Sequence, residues 1–134
     1  MIALDTNVLV RLLVKDDEAQ TRKVVALFKR LNQAAEVAYV CDVVVCELVW
    51  VLQACYKLDR RRIAAALKQL LAARQLSFDS PDRLARALSA FEQGRGALAD
   101  YVICEHARAA ECDSVVTFDK ALHKESLFRS PDPA

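Results

Sequence analysis

Four acidic residues stand where an ordinary surface role fits poorly: Asp5, Glu47, Asp100 and Asp119. Asp5 follows MIAL, four residues suited to a buried strand, with no Gly or Pro to mark a turn. Asp119 comes two residues after the apolar stretch SVVT. Glu47 lies in VVVCELVWVL, where its helical neighbours Val43, Val44, Trp50 and Val51 are all apolar. A lone carboxylate in that setting costs several kcal/mol unless something pairs with it. Asp100, in LADYVI, falls in the first turn of a helix, where the positive helix end favours a negative charge. Its neighbours three, four and seven residues on are Ile103, Cys104 and Ala107, which turns it towards the core side.

No matching cation is in view. The helix around Glu47 holds no Lys or Arg until Lys57, and Arg11 sits on a helix that has already turned away from Asp5. Carboxylates converging to ~4 Å repel by about 4 kcal/mol per pair at an effective dielectric near 20. Either some take up protons or a divalent cation sits among them. All-oxygen ligands suit Mg²⁺ or Mn²⁺. Such an ion activates water and stabilises charge on a phosphoryl group in flight. The chemistry that follows is phosphodiester hydrolysis with no covalent enzyme intermediate. Plain alternatives exist for each acid: Asp5 and Asp119 as helix caps, Asp100 as a first-turn acid, Glu47 paired with an arginine from elsewhere.

The elements that must position these residues alternate. Met1 to Leu4 reads as a strand, Asn7 to Leu13 as a short helix and Asp17 to Leu31 as a longer one, with Val24, Leu27, Phe28 and Leu31 at helical spacing. Val37 to Cys41 is the second strand, and Asp42 can cap the helix VVVCELVWVLQACY, which is apolar nearly all round and therefore expected to be buried, Trp50 included. Leu58 to Arg74 is amphipathic and basic. Leu76 to Phe78 is a third strand, and Ser80-Pro81 opens a helix to about Glu92. Gly94 and Gly96 break the chain before a helix over Leu98 to Ala110. Ser114 to Thr117 is the fourth strand, a short helix starts at Asp119, and Phe128 lies in a last strand or ordered tail. Strands alternating with helices predict an α/β fold of three layers, α/β/α, around a central parallel sheet of four to five strands. In such sheets ligands bind beyond the carboxyl ends of the strands. Asp5 and Asp119 belong on that rim.

Bulk composition narrows the class. The chain has 134 residues and reads as a single domain over 1–134, with 129–134 as a loose tail. Apolar residues make up 54%, which excludes a disordered chain, and a net charge of +1 gives no whole-molecule argument for nucleic acid. Two Gly and three Pro argue against a turn-rich all-β protein. No apolar run is long enough to span a membrane, and nothing resembles a signal peptide. The five cysteines, an odd number with no C-x-x-C pair, fit buried free thiols and a reducing, cytoplasmic setting.

The stretches LDTNVLV, CELVWVL, ADYVICEHA and ECDSVVTFDK, in this order and spacing, resemble the PIN-domain nucleases, and most closely the VapC-type toxins of bacterial toxin–antitoxin pairs. The resemblance spans Met1 to about Lys120. It implies a Mg²⁺- or Mn²⁺-dependent endoribonuclease acting on RNA, a cognate VapB-like antitoxin as inhibitor, and a homodimer. Asp5, Glu47, Asp100 and Asp119 take the family's acidic positions as metal ligands, with Asp5 and Asp100 contributing most. Many relatives carry one more acid three residues before the Asp100 position; Ala97 stands here, so no fifth ligand is expected. Asn7 and Thr117 match polar positions that orient carboxylates or water, and Thr6 braces Asp5 beside Asn7.

The basic stretch KLDRRRIAAALK offers Arg60, Arg61, Arg62 and Lys68 to RNA phosphates or to the antitoxin, with Leu58, Ile63 and Leu67 as a shared apolar groove; it is equally the solvated face of a helix. His106 has no evident catalytic role, and His123 stands near Asp119 in sequence. Two other readings compete with the nuclease. A receiver-type signalling domain needs an acid pair after strand one and an acceptor after strand three; here Asp5 is single, strand three offers only Asp79, and Glu47 is left unexplained. A catalytically inactive PIN scaffold that only binds a partner has no need of all four acids.

Overall fold

The structure, a computed structural model, describes residues 1–133. Its contacts fall into two compact units, Met1–Pro81 and the chain from Asp82 onward. Every strand pairing among the described residues is parallel, as the alternation of elements requires.

The first unit is built on a three-stranded sheet, β1 (Ile2–Ala3), β2 (Ala38–Val40) and β3 (Leu76–Phe78), in that spatial order. Ile2 pairs with Ala38 and Ala38 with Leu76, so the three strands end level and Asp5 comes out at their carboxyl rim. Four helices connect them: α1 (Thr6–Leu13), α2 (Glu18–Gln33), α3 (Asp42–Ala54) and α4 (Arg60–Ala72). Aspartates stand immediately before three of them, α1, α2 and α4. Asp17 and Asp59 accept the N–H of Gln20 and Arg62, three residues on, at 3.0 and 2.9 Å, which is the ordinary capping bond. Leu9, Leu48, Leu52, Ile63 and Leu67 are all but fully buried where α1 meets α3 and α3 meets α4.

The second unit carries α5 (Pro81–Gln93), α6 (Leu98–Ala109), β4 (Val115–Val116), a 3₁₀ turn (Leu122–Lys124) and β5 (Phe128–Arg129), with β4 pairing β5. Leu84, Leu88, Phe91, Leu98 and Leu122 are its largest fully buried side chains.

Several expectations need correction. The described residues hold a three-stranded and a two-stranded sheet in place of one sheet of four to five strands, because β1 and β4 are only two residues long and each supports a single ladder. Strand one is an exposed edge in which only Leu4 is buried. Helix α3 is not buried all round. Val43 and Trp50, 65% and 61% exposed, share a stripe with exposed Glu47, while Val45, Leu48, Val49 and Leu52 form the buried face. Trp50 is therefore not core. Asp42 does not cap α3; it is the first helical residue, and Cys41 before it supplies no side-chain bond. The acceptor arrives from 37 residues on, where Asp79 Oδ2 takes the Asp42 N–H at 2.9 Å. Only Cys104 of the five free thiols is buried; Cys55 and Cys112 are exposed.

Candidate active site

In the first unit the structure brings two of the four acids together. Asp5 follows β1 by two residues and stands immediately before α1, but it does not cap like Asp17 and Asp59. Its Oδ1 accepts only the N–H of the next residue, Thr6, at 2.7 Å. The Thr6 hydroxyl reaches 41 residues along the chain and donates to Glu47 Oε2 at 2.8 Å. Thr6 is 8% exposed, so one buried threonine holds both carboxylates, Asp5 through its backbone and Glu47 through its side chain. Oδ2 of Asp5 and Oε1 of Glu47 take part in no hydrogen bond or ion pair among the described residues.

Both acids line a groove of about 390 Å³ with Thr6, Asn7, Arg11 and Tyr56. The guanidinium in that groove is not available to the acids. Arg11 binds Asp16, donates to Gln20 Oε1 at 2.6 Å and reaches Tyr56 Oη at 3.3 Å, while Tyr56 in turn donates to Asp16 at 2.8 Å. The Tyr56 bond first, and then the charges of Asp16 and Asp17, raise the Arg11 pKa and keep it ionised. Arg11, expected to turn away from Asp5, lines the same groove, and its bond to Tyr56 across 45 residues leaves no local signal in the sequence.

The other two acids lie in the second unit, each held in the same one-oxygen manner. Half-buried Asp100 accepts the Ala97 N–H on Oδ2 at 2.8 Å. Ala97 has no side-chain acceptor, but its carbonyl takes the Asp100 N–H in return at 3.0 Å. Exposed Asp119 accepts the Ala121 N–H on Oδ1 at 3.0 Å, which closes a local turn and does not cap the 3₁₀ segment, whose first flanking residue is Ala121. Thr117 braces this turn, its hydroxyl oxygen accepting the Asp119 N–H at 3.1 Å. His123 Nε2 lies 2.7 Å from the Thr117 carbonyl, so that nitrogen carries the proton and is committed to the backbone. Exposed Asn7 lines the groove and forms no side-chain hydrogen bond among the described residues.

On α4, Arg61, Arg62 and Lys68 are exposed and Arg60 is half-buried. Ile63 and Leu67 are 0% and 1% exposed, so the apolar groove expected with Leu58 does not exist; those side chains face the core.

No three His, Cys, Asp or Glu side chains among the described residues stand close enough together to hold a metal ion. The donor set nonetheless fits a hard divalent ion. Mg²⁺ keeps several waters and is commonly held by only one or two protein carboxylates, and Asp5 with Glu47 supplies two. Among the described residues, all four acids offer an oxygen that no other group uses, and none is ion-paired. A divalent ion held by such carboxylates would supply electrophilic help at a phosphoryl centre.

No curated protein matches the chain. A family model described as PIN domain matches residues 2–125. No helix among the described residues is long and apolar enough to cross a membrane. With nearly the whole chain matched and the parallel α/β elements in place, this protein belongs to the PIN domain family, a nuclease fold whose members generally use divalent metal ions.

Proposed function

We propose that this chain is a Mg²⁺- or Mn²⁺-dependent endoribonuclease, the toxin of a type II toxin–antitoxin pair. The observation that carries the reading is the Asp5–Thr6–Glu47 arrangement: two carboxylates on one groove, each held on one oxygen by a neutral donor, with no cation spent on either. In this reading Asp100 and Asp119, which repeat that pattern in the second unit, are further metal ligands. A divalent ion held by these carboxylates supplies Lewis-acid help to water and screens charge on the phosphoryl oxygens.

The chain's own residues do the positioning. Thr6 fixes the Glu47 carboxylate, Thr117 holds the turn that carries Asp119, and the Ala97 N–H engages Oδ2 of Asp100 and leaves its Oδ1 without a hydrogen bond among the described residues. Asn7, exposed on the groove, is placed to orient water or a phosphate oxygen. Arg61, Arg62 and Lys68, with Arg60, supply positive charge for RNA phosphates or for the antitoxin. The partners in this reading are RNA, a cognate VapB-like antitoxin and a second copy of the chain, and the working compartment is the cytoplasm.

The test is cleavage of single-stranded RNA by purified protein. Cutting with millimolar Mg²⁺ or Mn²⁺, its loss in EDTA, and its loss in a folded Asp5→Asn variant support the nuclease. Cleavage by Asp5→Asn at the wild-type rate sinks the assignment. Wild-type protein inert with both metals leaves a binding module. For the toxin role, the chain is expressed with and without its neighbouring reading frame; arrest without the neighbour and growth with it support the pair, and unimpaired growth in both cases removes it.

A further inference from the structure

The link between α5 and α6 holds both of the chain's glycines, and neither has a positive φ. Turn geometry does not explain them; space does. A Cβ at Gly94 would fall on the Tyr101 hydroxyl, and one at Gly96 would stand 2.8 Å from Leu122 and 2.9 Å from Oδ2 of Asp100. The backbone is drawn this close because three successive N–H groups are each taken by a side-chain oxygen. Arg95 N–H goes to Glu125 Oε2 at 3.2 Å, Gly96 N–H to Tyr101 Oη at 2.9 Å, and Ala97 N–H to Asp100 Oδ2 at 2.8 Å.

Tyr101 closes the network by donating to Glu125 Oε1 at 2.7 Å. The tyrosine is 4% exposed, and its ring meets Phe128 edge-on, with centroids 6.3 Å apart. Glu125 ends the 3₁₀ turn that begins just after Asp119: its N–H bonds the Leu122 carbonyl, and the Leu122 N–H bonds the Asp119 carbonyl. The Tyr101–Glu125 bond therefore ties the residue beside Asp100 to the segment that carries Asp119.

We propose that Tyr101 and Glu125 are positioning residues that fix the Asp100 carboxylate and the Asp119 segment as one rigid unit for divalent-ion binding. This rests on the metal-site reading above. Glu125 is itself no ligand, because both its oxygens are occupied, by Tyr101 and by Arg95. Its carboxylate holds the loop, and the loop holds Asp100. Groups that orient metal ligands typically change metal affinity by about 10- to 100-fold when removed.

The experiment is Mn²⁺ titration calorimetry on the full chain, with thermal melting of each metal-free variant. Tyr101→Phe removes one hydroxyl and should weaken Mn²⁺ binding about tenfold or more while the protein still melts cooperatively. Glu125→Gln keeps the volume and should weaken it similarly, and it serves if Tyr101→Phe does not fold. Tyr39→Phe, which also removes a hydroxyl bound to a carboxylate, is the matched control and should bind Mn²⁺ as wild type does. A merely destabilising change leaves the affinity of the folded protein intact. Wild-type affinity in folded Tyr101→Phe or Glu125→Gln, with Asp100→Asn impaired, overturns this inference alone. Absence of Mn²⁺ binding by the wild type overturns it together with the metal-site reading.

Discussion

Glu47 and Glu105 each follow a cysteine on a helix, and their surroundings are opposite. Glu105, 6% exposed on α6, is answered by two arginines: Arg86 Nε at 2.6 Å on one oxygen and Arg108 at 2.7 Å on the other. Glu47, exposed on α3, receives one neutral hydroxyl on one oxygen. A carboxylate that only holds structure is neutralised where it stands, since burying it otherwise costs several kcal/mol. A carboxylate kept for a cation is oriented and left with its charge. The same contrast runs through Asp16, paired to Arg11, and Asp5, paired to nothing.

Exchanging each glutamate for glutamine sharpens the contrast. Glu47→Gln should cost at least about a hundredfold in metal-dependent RNA cleavage, or ~3 kcal/mol, and should shift metal-free stability by less than about 0.5 kcal/mol. Glu105→Gln should do the reverse. It should keep cleavage and lose about 1–2 kcal/mol in denaturant unfolding, a figure kept low because Arg86 and Arg108 are 60% and 53% exposed. Equal effects of the two substitutions on both readouts would break the comparison.

Thr6→Val conserves volume and removes the hydroxyl on Glu47. It should cost about 1 kcal/mol of stability and weaken the metal dependence of cleavage, whereas loss of stability alone would make Thr6 a packing residue. The smallest effect concerns a third kind of acid. Asp79 accepts from the Tyr39 hydroxyl and from the Asp42 N–H, so both its oxygens serve the fold. The bond to Asp79 first, then burial, pushes the Tyr39 pKa up to about 12 from 10.0. The folded protein holds that proton more tightly than the unfolded chain does, so the stability it contributes is fully present below about pH 10 and is lost as pH rises towards 12. Melting of wild type and Tyr39→Phe should therefore differ by a constant amount up to about pH 9.5 and converge above it; a gap that persists at pH 12 contradicts the assignment.

How much was legible follows from the range of each interaction. Helix and strand boundaries came through within a few residues because periodicity is local: the helix read over Leu58 to Arg74 is α4, Arg60–Ala72, and Leu76–Phe78 is β3 as read. The acids were legible as types, since a charge after an apolar strand is visible in one dimension. Their partners were not. Thr6 meets Glu47 across 41 residues and Tyr101 meets Glu125 across 24, and neither separation leaves a pattern. The exposed stripe of α3 misled for a different reason. Val43 and Trp50 are apolar by type, and residue type does not say which side of a helix the rest of the protein covers. The split of the sheet reflects ladders of two residues, which apolar content alone cannot measure.

In the proposed function Glu47 serves a divalent ion, whereas Glu105 serves the fold. Mn²⁺ binding followed by electron paramagnetic resonance on wild type, Glu47→Gln and Glu105→Gln tests it most directly. Bound Mn²⁺ is expected in the wild type and in Glu105→Gln and its loss in Glu47→Gln, with all three proteins folded. Wild-type binding by Glu47→Gln, or no binding by the wild type, would contradict it.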